Sequence, residues 1–430
     1  MIVRRLIPLF TSEKGLVLTD QVVVSGSAFA TNLLLAQALG PVAYGRYSAV
    51  VLAQLFLLSL QQAAGSGLYQ VVWPSLPEAD KKPYTDGLLY AQLGWLVGLL
   101  ALAGLANGLW SGGLPGFGPA ELGAAVVATG LYLLQDFVRK TLLAQQRAGQ
   151  ALWLDALTNA GQLAGLVWFR VQGGLSLSVA LWLVGLTFLP SVGLGIWWLR
   201  PARPHSADLA RVGQEHRQQG GWMLLSALTQ WLAGNFLLVA GGWWLGAAAL
   251  GALRLAQYVF GLLNVGLQAL ESYVAPRAAQ LAHQPAQLVG YLGAILRKSG
   301  LAMVPVLVGL VLGAEPLLVL AGGADYQPFA YVVYGLALVY VLVVLGYPIR
   351  ILLRVRQLAK HYFIGYALAT ALNLASASWL IREHGLKGVL AGLFLTQAVL
   401  IGYWLLVLHH SGLFTWKSFT LFSAKPIRPE

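Results

Sequence analysis

The sequence predicts an all-α polytopic membrane protein of twelve transmembrane helices, in two pseudo-symmetric six-helix lobes around a central cavity. Three observations predict it. The chain is 58% hydrophobic and only 10% charged, with a mean hydropathy of +0.70. Soluble domains carry about 25% charged residues, so this chain lacks the polar side chains to cover a water-facing surface. Twelve apolar runs of spanning length can be laid along it. A turn motif near the start is echoed about half a chain later: Leu39-Gly40-Pro41-Val42-Ala43-Tyr44-Gly45 returns as Leu245-Gly246-Ala247-Ala248-Ala249-Leu250-Gly251.

The first-half spans are expected near 16–39, 44–72, 88–110, 120–137, 151–168 and 175–199. Those of the second half fall near 221–244, 247–274, 301–320, 329–349, 363–381 and 389–408. Pro41 has no N–H and disfavours helical angles at Gly40, so the helix must break there. Placing the N-terminus inside the cell puts 22 of the 27 Lys and Arg residues in inside segments. Four, Arg46, Arg170, Arg382 and Lys387, fall outside, and Arg254 lies within a span. The positive-inside rule therefore expects both termini to be cytoplasmic, and most of the net charge of +12 to be loop charge. The first apolar run contains Asp20 and leads directly into the next, so it reads as a retained span.

The expected domains are an N-terminal lobe over 1–199, a polar cytoplasmic linker over 200–220, a C-terminal lobe over 221–410 and a cytoplasmic tail over 411–430. Arg139-Lys140-Thr141-Leu142 and Arg350-Ile351-Leu352-Leu353 share Arg-x-x-Leu at the exit of the fourth span of each lobe. Six spans per lobe is an even number. The repeat is then parallel, and a binding site is expected between the lobes near mid-membrane.

Polar residues inside the spans mark candidate sites. Arg254, Gln257, Gly261, Asn264, Gln268 and Glu271 recur at steps of 3 and 4, which keeps them within a sector of about 100° on a helix. Such a row avoids lipid. It lines a cavity or bonds neighbouring helices, and the six-position register favours the cavity. An intramembrane Arg is a functional candidate by default. In the first half, Gln54 and Gln61 follow Tyr47 at steps of seven, with Arg46 at the outer mouth; a cavity stripe and packing glue are equal readings there. Asp20 is a candidate for ion coupling, or else a helix-start residue favoured by the dipole. Asp136 and Arg139, three apart, read as an intrahelical ion pair, and Asp155 reads as interfacial. Trp110, Trp168, Trp243 and Trp244 read as an interfacial belt.

Other chemistry is excluded by what the sequence lacks. There is no cysteine, hence no disulfide and no thiolate chemistry. There is no phosphate-binding Gly-x-x-x-x-Gly-Lys loop and no Asp-x-Asp pair for a metal-dependent glycosyl transfer. No metal site or other cofactor is expected, and no nucleic-acid partner.

The turn Leu39-Gly40-Pro41-x-x-Tyr44-Gly45-x-Tyr47 and the Arg139–Arg147 exit from the fourth span resemble those of bacterial polysaccharide-unit flippases. These form the Wzx-type branch of the multidrug/oligosaccharidyl-lipid/polysaccharide (MOP) exporter superfamily. The resemblance implies translocation of an undecaprenyl-diphosphate-linked oligosaccharide from the cytoplasmic to the outer leaflet, for O-antigen, capsule or exopolysaccharide assembly. It also implies a cationic cavity, alternating access, a bacterial inner-membrane location, and a polymerase and glycosyltransferases of the same pathway as partners. The cavity cation of the family pattern matches Arg254 first and Arg46 second. The chief alternative is a cation-coupled multidrug antiporter of the same superfamily. A membrane-embedded enzyme of glycan assembly is disfavoured by the missing catalytic pair and outer domain.

Overall fold

The computed structural model describes residues 13–109 and 116–413. Within them the chain is helical, and no strand occurs. It divides into two compact units, Met1–Leu228 and Thr229–Glu430.

Unit 1 begins with α1, Glu13–Gln61, which is two helices joined at a break. Gly40 sits there at φ 68°, ψ 176°, a region open essentially only to glycine. Pro41 follows as the first residue of the second helix, where its missing N–H costs nothing. A π-turn (Gln62–Ser66), the short α2 (Gly67–Val72) and a 3-10 turn (Trp73–Ser75) carry this second rod to its end. Then come α3 (Glu78–Leu109), α4 (Pro119–Ala144) and α5 (Ala148–Val171), followed by α6 (Leu177–Leu186) and α7 (Phe188–Leu199), which together make one span.

The helix α8, Ser206–Leu245, starts inside the segment expected as a polar linker and runs unbroken into the next span. Its first turns pack on unit 1. Tyr84 Oη lies 2.8 Å from His216 Nε2, and ahead of the helix the Ala202 amide donates to Asp86 Oδ2 at 3.2 Å. The local reason is that 206–219 combines helix-forming residues with a Ser-Ala-Asp start suited to a helix N-terminus.

Unit 2 continues with α9 (Ala247–Gln280), α10 (Pro285–Leu312), the short α11 (Ala314–Gly322), a 3-10 turn (Ala324–Phe329), α12 (Tyr331–Val355) and α13 (Ala359–His410). Within α13 the backbone breaks at Gly385, φ 57°, ψ −136°. Eight helices among the described residues are long and apolar enough to cross a membrane. Two of these runs, Thr19–Ser75 and Ala359–His410, hold 57 and 52 residues. At 1.5 Å per residue each is about 80 Å long, far beyond an apolar core of about 30 Å. Each is therefore a pair of spans broken at its glycine. Ala247–Gln280 bends by 44° near Gly261. The helix α5 falls below the apolarity of a membrane span because it carries Asp155, Asn159 and Gln162. The breaks divide the described chain into twelve rods, six before and six after position 205.

The halves share their irregularities as well as their helices. All ten described residues with positive φ fall into five pairs: Gly40 with Gly246, Gly116 with Gly323, Gln146 with Gln357, Gly173 with Gly385, and Arg200 with Gly412. Their spacings, in order, are 206, 207, 211, 212 and 212 residues. Turn geometry thus registers the duplication along the whole length, where the sequence shows it at two places only.

Each unit has its own core. In unit 1 Tyr69, Tyr84, Leu133, Phe137, Leu142 and Leu154 are buried together. In unit 2 Val274, Tyr347, Leu353, Leu400 and Trp404 form the equivalent cluster. Trp168 and Trp243 are exposed, and Arg382 lies 5.5 Å over the Trp244 ring. Trp110 and most of the tail after 410 lie outside the described residues.

Candidate functional site

The row on α9 divides into a buried end and an open end. Arg254 is 9% exposed. One of its terminal nitrogens donates to Gln257 Oε1 at 3.0 Å and the other to Tyr258 Oη at 3.1 Å, with the guanidinium 5.1 Å from the Tyr258 ring centre. Its Nε is buried without a hydrogen-bond partner. Among the described residues no carboxylate pairs with it. A buried guanidinium held only by neutral acceptors keeps its full charge available to an anion.

Further along, Asn264 is exposed, and its amide donates to Tyr340 Oη at 2.8 Å. Tyr340 in turn packs on Phe260, ring centres 4.7 Å apart. Gln268 is exposed too. Glu271 ends the row in an ion pair with Arg354 of α12 and accepts a hydrogen bond from Tyr347 Oη at 3.1 Å. Gly261 marks the bend of the helix. Arg254 and Glu271, about 26 Å apart along the helix by its rise, do not meet. The row is a cationic end and a neutralised end joined by amides.

In unit 1 the predicted stripe turns inward. Gln61 is 3% exposed. Its amide donates to the Leu133 carbonyl at 2.9 Å, and its oxygen accepts from Gln92 Nε2 at 2.7 Å. It staples α1, α3 and α4 together, the packing reading of the two. Tyr47 is buried and stacks on Tyr44. Gln54 is buried as well. Arg46 is half-buried beside Gly116.

Arg139 does not pair within its own helix. Its Nε bonds Asp155 of α5, and a terminal nitrogen bonds Asp20 of α1. Asp136 lies beside Gln62 instead. Asp20 and Asp155 are 2% and 4% exposed, so Asp155 is a core residue rather than an interfacial one. Gln135, one turn before Arg139, donates to the second oxygen of Asp155 at 2.6 Å. The clamp ties three helices with two carboxyls around one guanidinium. In unit 2 the residues 211 further on are Arg350 for Arg139 and Tyr366 for Asp155, and these two again face each other. Arg350 also lies 5.3 Å over the Tyr347 ring. The second half keeps the partnership and drops the acids. Sequence reasoning singled out Asp155 but not its partners, which are distant in the chain, and it had no signal for Gln92.

An α-helical, multi-pass membrane protein with this duplicated twelve-rod plan has the fold of MOP superfamily transporters. A family model described as "Polysaccharide biosynthesis protein" matches residues 166–331. No curated protein matches the chain by sequence. Among solved structures, the lipid II flippase MurJ in an inward closed conformation is similar with a TM-score of 0.67 and 15% identity, over 93% of this chain and 88% of that one. An inward-facing multidrug resistance MATE family transporter gives 0.68 and 15%, over 97% and 99%. A MOP superfamily transporter from Pyrococcus furiosus, described as having a binding pocket of reversed polarity, gives 0.62 and 14%, over 93% and 96%. At these identities the likeness is one of fold.

Proposed function

We propose that this protein is a flippase that moves an undecaprenyl-diphosphate-linked oligosaccharide from the cytoplasmic to the outer leaflet of the bacterial inner membrane. It feeds surface polysaccharide assembly by alternating access and is not an enzyme. The observation that carries the proposal is Arg254, a buried guanidinium in a membrane helix with neutral partners and one orphaned nitrogen. Intramembrane charge is expensive and is kept where it has a task. A diphosphate is the ligand that such a group recognises, through charge-assisted bonds. Gln257, Asn264 and Gln268 supply neutral donors and acceptors for sugar hydroxyls along the same face, and Arg46 and Gln54 are the first-half candidates, Gln61 being taken up by the staple. The family match over 166–331 supports a polysaccharide pathway.

In this reading both termini are cytoplasmic, the lobes are 1–199 and 221–410, and 200–220 joins them. The polymerase and glycosyltransferases of the pathway are the partners, and membrane lipids surround the protein. A cation-coupled multidrug antiporter is the second reading. It is favoured by the buried carboxyls Asp20 and Asp155 and by the structural likeness to MATE transporters.

The test is export. Arg254→Ala is expected to abolish delivery of the lipid-linked unit to the outer leaflet while membrane insertion is kept, and Arg254→Lys to restore part of it. Normal export by the Ala variant removes Arg254 from the mechanism. Loss of drug efflux, with export intact, in a strain lacking the gene selects the antiporter.

A further inference from the structure

Unit 1 holds an apolar cavity of about 510 Å³ between α1, α3 and α4. Beyond its inner end lies the Gln61–Gln92–Leu133 staple. One turn beyond each of these residues, Leu57, Leu96 and Thr129 line the cavity. From there outward the helices are held apart at Ala49, Ala53, Ala125 and Gly130, whose side chains are too small to close the gap. A Cβ added at Gly130 would meet nothing within 4 Å. The Thr129 hydroxyl, the lining side chain with a polar atom, donates to the Ala125 carbonyl at 2.6 Å. A water molecule inside would find no free side-chain partner, and an apolar cavity of this kind stays dry. Leu100 and Leu102, which also line it, are exposed, so it opens sideways.

The far end is charged. Phe117 closes the cavity, and the Cβ position of its neighbour Gly116 lies 3.4 Å from Arg46 Nε. Arg46 stands one turn before the lining residues Ala49 and Val50. Among the described residues it makes no ion pair or hydrogen bond. Glu121, at the same rim, already accepts from the Gly118 amide at 2.9 Å. From Arg46 to Leu57 the helix rises about 16 Å, the depth of one leaflet of an apolar core about 30 Å thick.

The second half supplies an internal comparison. At the spacing of 206 residues, Ala49 becomes Leu255 and Arg46 becomes Ala252. Phe117 and Gly118, which link Gly116 to α4, give way to the longer 3-10 turn Ala324–Phe329. Leu255 and Tyr326 are both 0% exposed and converge on Gly322, where a Cβ would stand within about 2.5 Å of each. At the place equivalent to Ala49 the gap is filled, and Ala252 stands where Arg46 does. The fold does not impose the cavity; the residues of the first half make it.

We infer that this cavity berths the polyisoprenoid chain of the lipid-linked substrate in the outer leaflet, with Arg46 against its phosphate. The inference rests on the flippase reading above. An anionic headgroup answers the unpaired guanidinium. Methyl branches fill the notches at Ala53, Ala125 and Gly130, which a straight acyl chain leaves empty and so forgoes their dispersion contacts.

The test is native mass spectrometry of the purified full-length chain titrated with undecaprenyl phosphate, and in parallel with phosphatidylglycerol of equal charge sign. Gly130→Leu fills the cavity where space is open, and Arg46→Ala removes the cation. Each is expected to weaken undecaprenyl phosphate at least about tenfold, equivalent to roughly 1.4 kcal/mol, with Arg46→Lys recovering most of it. Phosphatidylglycerol is expected to bind the native protein at least about tenfold more weakly. A melting curve checks the fold, and Ala53→Phe replaces Gly130→Leu if the latter misfolds. Native binding that survives both cavity-filling and Arg46→Ala overturns the berth alone. Equal binding of phosphatidylglycerol overturns the choice of occupant. A native protein that does not bind undecaprenyl phosphate overturns the flippase reading itself, and the berth with it.

Discussion

Replacing Arg139 by Gln tests the three-helix clamp. The substitution keeps the length and some hydrogen bonding but removes the cation from between Asp20 and Asp155, whose side chains are 3% and 6% exposed. Removing one partner of a buried pair costs about 3–5 kcal/mol, because the other charge stays buried without compensation. Here two carboxyls are stranded, and one oxygen of Asp20 already lacks a hydrogen-bond partner. The expected loss is therefore at least about 3–5 kcal/mol, against total stabilities of about 5–15 kcal/mol. The Arg139→Gln protein should accumulate poorly and melt well below the native protein in detergent. Combining it with Asp20→Asn and Asp155→Asn removes the stranded charges and should return most of the lost stability. The assay is a thermal melt followed by size-exclusion chromatography for the single, double and triple variants. If Arg139→Gln melts within about 2 °C of the native protein, a change of under roughly 1 kcal/mol, the clamp is not structural and the reasoning fails.

Asp20→Asn alone leaves Arg139 paired with Asp155, so its effect on export should be milder than that of Arg254→Ala; complete loss in the transport assay would make Asp20 a coupling residue. Gly40→Ala forces a side chain into a backbone region that only glycine occupies readily, at a cost of about 1–3 kcal/mol, and a melting curve equal to that of the native protein would show that the break relaxes. Gln61→Leu strands the Gln92 amide between three helices and should cost about 1–3 kcal/mol, read in the same melt; an unchanged melting temperature would mean that the staple is dispensable.

The fold was legible because membrane spans are written in composition. The breaks at Gly40 and Gly246 were legible because a Pro or a repeated glycine marks them. Gln146 and Gln357 show the opposite case. They hold the same left-handed geometry at φ 59° and 55°, yet their neighbourhoods contain neither Pro nor a matching Gly; the Arg139 and Arg350 echo sets the same spacing, but the turn itself emerges only from the backbone. The α9 row was visible as periodicity, and its residues are where a helical wheel puts them. Its partners were not visible, since Tyr340 and Arg354 lie 76 and 83 residues away from theirs. The spacing of Asp136 and Arg139 suggested a local pair, but Arg139 is long enough to reach two other helices, and burial there rewards the group that gathers more carboxyl oxygens. Gln61 read equally as a pore residue and as packing glue because a polar side chain in a membrane helix has two uses, and only the position of the Leu133 carbonyl distinguishes them.

The division between the units at Leu228 and Thr229 falls inside α8. The start of that rod is fastened to unit 1 through His216, and its later part belongs to unit 2. A continuous helix resists twisting and shear as a loop does not. The consecutive glycines Gly220 and Gly221 sit just before the division, where bending is easiest.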